Sequence, residues 1–444
     1  MPTSLNKNID MLCQSFTLAL NLPMSLSENK RNYLRSFILI ICILYSISET
    51  FYLLRGFSGH MSDLTLYHSV SSKILDGNIP FRDFPIEYPV LAIIPILIPA
   101  LVNQIFSGTL ESYCVLFVIQ NFLLSILTGY TISRTQITGV DSKYALFTYT
   151  LLLVFALPVY LFRYDAFPVL LISVMVYTVF QKPFFSGMTL AASIMAKLYP
   201  IVIAPAIALY YLVNWLPKRG LLYLSGFLAF SIISLAFILP FTGSAIFNFA
   251  QPHQLRGIQL ESVIGGFLLL ANKLNMLNVT ITHNYGSYNI DSPVSQAIVG
   301  SMTWGVGVIF LLIFLFQSWL FFKERQAKGI VSQMSLIIAM NSWLFSFLIF
   351  NKVLSPQYIL WIFPLIPFLN QTIKIKFFVA LMLTITIFPG WYHYLMNVST
   401  FLVVLLNIRN LLLIWILIDI IKLMINQFSP PIQPITKHSI ILNS

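Results

Sequence analysis

Apolar runs of about twenty residues recur along this chain from residue 34 to residue 425. Runs of that length suit a bilayer's hydrocarbon layer, which is roughly 30 Å thick and is crossed by about 20 helical residues. Within hydrocarbon, only helices and closed barrels satisfy every backbone amide and carbonyl. Charged residues make up 9% of the sequence, far below the roughly 25% of a soluble domain. The chain therefore reads as an all-α polytopic membrane protein in one integral unit. No segment is long and polar enough to form a second folded domain.

The runs fall near residues 34–54, 89–106, 112–132, 144–162, 166–181, 184–199, 200–216, 221–240, 297–322, 330–350, 355–370, 376–395 and 400–425, with a weaker stretch at 263–277. Basic residues punctuate them. Lys30, Arg31 and Arg35 precede the first run, and Lys218-Arg219, the cluster from Lys323 to Lys328, and Lys374 with Lys376 mark later loops. The positive-inside rule puts these loops and both termini in the cytoplasm. The segments 55–88 and 241–296 and the turn Asn351–Ser355 then face outward. Run 89–106 carries Pro89, Pro95 and Pro99 and reads as a broken, re-entrant segment. A full crossing there would strand Arg134 and Lys143 on the outer side. About twelve crossings result, within a range of 11–13. The organisation is a cytoplasmic tail over 1–33, an integral domain over 34–425, and a cytoplasmic tail over 426–444 whose stretch Ser429–Pro434 is Pro-rich and extended.

The net charge of +11 follows the same punctuation, so it reads as a topology signal and not as a nucleic-acid surface. Three scattered cysteines, Cys13, Cys42 and Cys114, suggest neither a disulfide framework nor a metal site. Residues 1–30 lack the compact apolar core and cleavage site of a signal peptide.

Carboxylates are rare here, 14 in all, and Asp63, Asp76, Asp83 and Glu87 share one outer loop. Ionisable groups near a bilayer cost roughly 2.5–3.5 kcal/mol each on insertion scales, so they persist where they pair, meet water or do chemistry. Asp63 opens an amphipathic stretch from Leu64 to Leu75 and is either a base at the membrane surface or a helix cap. Arg82-Asp83 and Glu87-Tyr88-Pro89 are either part of a site or an ion pair with a cap. Arg163-Tyr164-Asp165 and Lys197-Leu198-Tyr199-Pro200 sit at breaks between runs, where a turn-easing ion pair and a snorkelling lysine are the plain readings. His253, Arg256 and Glu261 fall in the second outer loop, and Asn351-Lys352 and Gln357 in a short turn. There is no phosphate-binding glycine loop and no nucleophile elbow.

Taken in order, these pieces resemble one family. Asp63-Leu64-x-x-Tyr67, Gly77-x-x-Pro80-Phe81-Arg82-Asp83-Phe84-x-x-Glu87-Tyr88-Pro89, Arg163-Tyr164-Asp165, Lys197-Leu198-Tyr199-Pro200, Arg256-Gly257-x-Gln259-x-Glu261-Ser262 and Asn351-Lys352-Val353-x-Ser355-Pro356-Gln357-Tyr358 resemble the GT-C superfamily of membrane glycosyltransferases. They are most similar to glycosyltransferase family 87, the polyprenol-phosphate-mannose-dependent mannosyltransferases. The last piece also resembles a turn in the catalytic subunit of GPI mannosyltransferase I. Two departures stand out: Val90 replaces a second proline, and the Asp-x-Asp form of the first outer loop is absent.

The resemblance implies a GT-C-type fold with a catalytic first outer loop over 55–88 and a second outer loop over 241–296. It implies transfer of a hexose, mannose by family, from a polyprenyl-phosphate donor to an acceptor hydroxyl on a glycan, glycolipid or glycoprotein. The active site would lie at the extracytoplasmic face of the plasma membrane. Asp63 is the implied general base, with Glu87 and Asp83 beside it. Arg82, Arg163, Asp165, Lys197, Tyr199, His253, Arg256, Glu261, Lys352 and Gln357 are the candidates for holding sugar and lipid phosphate. No metal and no cofactor are expected, because a monophosphate leaving group needs only fixed positive charge. Two other classes remain open: a glycolipid flippase without chemistry, and a polymerase or ligase of whole lipid-linked glycans. No convincing internal repeat of the kind transporters show is visible.

Overall fold

The computed structural model describes residues 61–106 and 108–427. The first apolar run at 34–54, Cys13, Cys42, His60, the N-terminal tail and all of the C-terminal tail beyond Gln427 lie outside the described residues.

The fold is helical with one small sheet. Among the described residues, seven helices are long and apolar enough to cross a membrane. They begin with α3 (Leu110–Arg134), α4 (Ser142–Tyr160) and α8 (Pro217–Thr242), and continue with α11 (Pro293–Lys328), α12 (Gln333–Phe350), α13 (Gln371–Ile385, extended by a broken turn to Gly390) and, after the short α14 (Tyr392–Met396), α15 (Thr400–Asn426). The protein is thus an all-α type of polytopic membrane chain. The finer expectation of 11–13 crossings is not matched helix for helix. Runs 166–181, 184–199 and 200–216 form shorter helices, α5 (Ala166–Thr178), α6 (Pro183–Ala196) and α7 (Ala204–Val213). At about 1.5 Å per residue these reach roughly 15–21 Å, short of a bilayer core. Breaks at Arg163–Asp165 and at Lys197–Pro200 set their lengths.

Run 355–370 is a correction. It forms no crossing helix but two 3-10 turns, Pro356–Ile362 and Ile366–Phe368, whose residues are buried within the protein. Pro356, Pro364 and Pro367 interrupt any α-helical ladder there. Run 89–106 is a 3-10 turn, Val90–Ala92, leading into α2 (Ile93–Asn103) with Pro99 inside it, again short of a crossing.

The 55–88 segment is not a plain loop. Residues Met61–Leu75 form α1. Leu64, Tyr67, Val70 and Ser71 are buried at helical spacing, and the first three join Phe81, Phe84, Ile96, Phe117 and Tyr164 in one cluster. The 241–296 segment is likewise structured. It holds a 3-10 turn, α9 (Ala250–Leu255), α10 (Val263–Lys273) and an antiparallel sheet ordered β1-β3-β2. The strands are β1 (Ile258–Gln259), β2 (Thr280–Asn284) and β3 (Ser287–Asp291), with Gln259 opposite Asn289.

The main core surrounds α12, whose apolar residues face inward on all sides. Helices α6 and α8 cross in backbone contact. A Cβ on Gly187 would stand 2.0 Å from the Tyr223 carbonyl oxygen, and one on Gly226 2.0 Å from that of Phe184. Gly226→Ala should therefore wedge the pair apart and lower stability by about 1–3 kcal/mol or more. Thermal unfolding in detergent checks this; an unchanged midpoint would mean the helices separate freely.

Candidate functional site

A cavity of about 930 Å³ opens where these elements converge. Helix α1 carries Asp63 in its first turn and Tyr67 one turn on, and both line the cavity. Glu87 enters from the segment before Pro89, and Arg163 and Asp165 from the break between α4 and α5. Lys197 and Tyr199 come from the break between α6 and α7. Arg256, Glu261 and Tyr288 come from the sheet region, and Lys352 and Gln357 from the turn after α12.

Asp83 and Arg82 are not brought in. Arg82 Nε donates to Asp83 at 2.8 Å, and the Ile79 amide donates to the same carboxylate at 2.7 Å. This exposed pair closes its own turn, away from the cavity. The arginine and the amide hold the Asp83 carboxyl below its usual range. The His253 side chain lies outside the described residues, on α9.

Two ion pairs organise the cavity. Arg163 pairs with Asp63. Lys197 Nζ donates to Asp165 Oδ1 at 2.6 Å, and Trp361 Nε1 donates to the same oxygen at 2.6 Å. Asp165 is 1% exposed, so this pair sits in a dry setting where a lone charge would be costly. An aromatic wall surrounds it. Tyr199 stacks on Trp361 with ring centres 4.0 Å apart, Tyr358 stacks on the same indole at 3.8 Å, and Lys197 lies 4.7 Å from the Tyr164 ring centre. Burial pulls the Lys197 ammonium below its usual range, and Asp165 opposes that shift. Lys197 is therefore committed to Asp165.

Arg256 approaches Glu87 at 3.6 Å and also donates to the Tyr285 carbonyl. Lys352 Nζ donates to the Gln254 carbonyl at 2.9 Å. Gln259 ties the two regions together. Its amide nitrogen donates to the Lys352 carbonyl at 2.8 Å, its Oε1 accepts from the Leu354 amide at 2.7 Å, and its Nε2 donates to Ser355 Oγ at 3.1 Å.

Glu261 is 1% exposed, and neither carboxylate oxygen has a donor at hydrogen-bond geometry. Arg409, Tyr392 and Arg163 face it, and burial outweighs them, so its carboxyl is pushed up to about 7. The sign follows from linkage. The folded state holds this proton more tightly than the unfolded one, so the contribution to stability is complete below about pH 4.5 and is lost as pH rises to about 7. Glu261→Gln should flatten the fall in thermal stability across that window, whose slope for one proton is at most about 1.4 kcal/mol per pH unit. An unchanged slope in the variant would assign the proton elsewhere.

Several contributors are absent from the sequence reading: Trp361, Tyr288, His283, Tyr392 and the buried polar residues Asn407, Arg409 and Asn410 of α15. Arg409 donates to the Glu261 carbonyl at 2.8 Å, and Asn407 and Asn410 donate to the carbonyls of Gly266 and Ser262. They dock the start of α10 onto α15. An arginine inside an apolar run was the available signal. The aromatic residues gave none, because rings are common in membrane helices.

No protein-family model matches the chain, and no curated protein matches it significantly. Among the described residues, no group of three or more His, Cys, Asp or Glu is placed to hold a metal ion.

Proposed function

We propose that this chain is a membrane glycosyltransferase. In this reading it moves a hexose, mannose in the first instance, from a polyprenyl phosphate to an acceptor hydroxyl at the extracytoplasmic membrane face. The observation carrying the proposal is the shared cavity: Asp63, Glu87, Glu261, Arg163, Arg256 and Lys352 face one space beside an aromatic wall.

Each part suits one need of the reaction. The acceptor oxygen attacks the anomeric carbon, the bond from that carbon to the phosphate oxygen breaks, and the electron pair leaves on the lipid phosphate. The acceptor proton passes to Asp63. Fixed cations stabilise the charge that grows on the phosphate. Carboxylates accept hydrogen bonds from sugar hydroxyls, and aromatic faces cover the sugar's apolar side. The cavity volume falls within the usual range of about 300–1,000 Å³ for ligand sites. The bilayer brings the lipid-linked donor to the site in two dimensions.

The test is sugar transfer by the purified chain in lipid, with radiolabelled polyprenyl-phosphate-mannose and a membrane extract as acceptor source. Labelled product supports the reading. Silence across mannose, glucose, galactose and arabinose donors would sink it and favour a glycolipid flippase. Labelled product carrying whole glycans would move it to a ligase.

A further inference from the structure

We propose that the cavity holds a lipid phosphate between Arg256 and Lys352, a cation pair positioned by Gln259. This rests on the transferase reading for its ligand but not for its geometry. Among the described residues the cavity is lined by four Lys and Arg cations, and two are already matched: Arg163 by Asp63 and Lys197 by Asp165. Lys352 has no carboxylate within ion-pair distance among the described residues; its contact is the Gln254 carbonyl. That carbonyl lies two residues before Arg256, and both cations line the one cavity; burial and the Arg256 charge lower the Lys352 ammonium from its usual range. Arg256 touches Glu87 only at 3.6 Å, and its buried Nε has no hydrogen-bond acceptor. Two like charges held together, one with an unused donor, are arranged to receive an anion.

Gln259 sets this arrangement. It is 4% exposed, and its three hydrogen bonds pin the turn carrying Lys352 against the strand that follows Arg256. It reaches the phosphate only through Lys352, so it is a positioning residue. A hydrocarbon side chain of the same length cannot make the two side-chain bonds.

The experiment is calorimetric titration of farnesyl phosphate into the full chain in detergent, with farnesol and inorganic phosphate as separate arms. Wild type should bind farnesyl phosphate and not farnesol. Lys352→Gln and Arg256→Gln should each weaken binding about tenfold or more, the usual scale for one charge-assisted hydrogen bond. Lys352→Arg should stay within about threefold, and Arg82→Gln, outside the cavity, should bind as wild type. Gln259→Met should weaken binding in the wild-type background and have no further effect with Lys352→Gln, a coupling that general loosening would not give. Size-exclusion profiles exclude misfolded variants, and Arg256→Gln carries the test if Lys352→Gln does not fold.

The proposal falls if wild type does not bind, or if Arg163→Gln abolishes binding while Lys352→Gln and Arg256→Gln do not. Inorganic phosphate binding as tightly as farnesyl phosphate would assign the pair to a free phosphate and overturn the lipid assignment. Binding through this pair without sugar transfer sinks the transferase reading alone. Transfer with unweakened Lys352→Gln and Arg256→Gln sinks this assignment alone.

Discussion

Asp63→Asn is expected to lower sugar transfer by about 10²–10⁴-fold, the usual contribution of a positioned acid–base group, while farnesyl phosphate binding persists. The amide keeps the shape of the side chain but cannot take the acceptor proton. Asp63 sits in the first turn of α1, so a capping role is the competing account, and the two separate cleanly. Loss of a cap costs about 0.5–2 kcal/mol of stability and leaves the chemistry intact. Transfer and thermal unfolding measured on the same preparation decide between them. Full transfer with a lowered midpoint would make Asp63 a structural residue and pass the base to Glu87 or Glu261. Arg163 adds a further expectation. Freed of its partner, its charge would face the cavity uncompensated, so anionic ligands should bind Asp63→Asn at least as tightly as wild type.

The larger effect on stability is expected at Asp165. Asp165→Asn keeps an acceptor for Trp361 but leaves the Lys197 ammonium without its counter-charge in a buried aromatic setting. Breaking one side of a buried pair typically costs about 3–5 kcal/mol, whereas replacing both partners with apolar groups is often neutral. Asp165→Asn with Lys197→Met should therefore recover most of the stability lost in the single variant. Equilibrium unfolding in mixed micelles reads both. A single-variant loss below about 1 kcal/mol would mean that Lys197 reaches water or gives up its proton at little cost.

Sequence reasoning reaches the membrane class because charge scarcity and apolar periodicity are properties of every stretch, and no tertiary contact is needed to see them. It also marks the breaks at Arg163–Asp165 and Lys197–Pro200, since polar residues between two apolar runs have few places to go. It fails at 355–370, where a buried apolar segment and a lipid-facing one have the same composition. Only the packing of those 3-10 turns against α4, α12 and α13 tells them apart. Asp83 shows the opposite failure. Like Glu87 it is followed by an aromatic residue and a proline, but the turn Ile79–Asp83 directs its carboxylate to the Ile79 amide. The link from Gln259 to Ser355 spans 96 residues, and no local pattern announces a contact of that range.

Helix α11 has 36 residues, and the apolar run within it begins near residue 297. The four residues from Pro293 to Gln296 therefore rise about 6 Å along the axis beyond that run. Strand β3, which supplies Ser287 and Tyr288 to the cavity wall, ends two residues before that helix begins. The helix thus fixes the distance of one cavity wall from its own apolar run. In the proposed transfer a lipid-borne phosphate rides at headgroup level, so that distance would select acceptors whose reactive hydroxyl projects about as far. Removing one helical turn at the start of α11 would lower the wall by roughly 5.4 Å and, on the proposed reading, shift preference toward hydroxyls nearer the bilayer, without altering any residue inside the cavity.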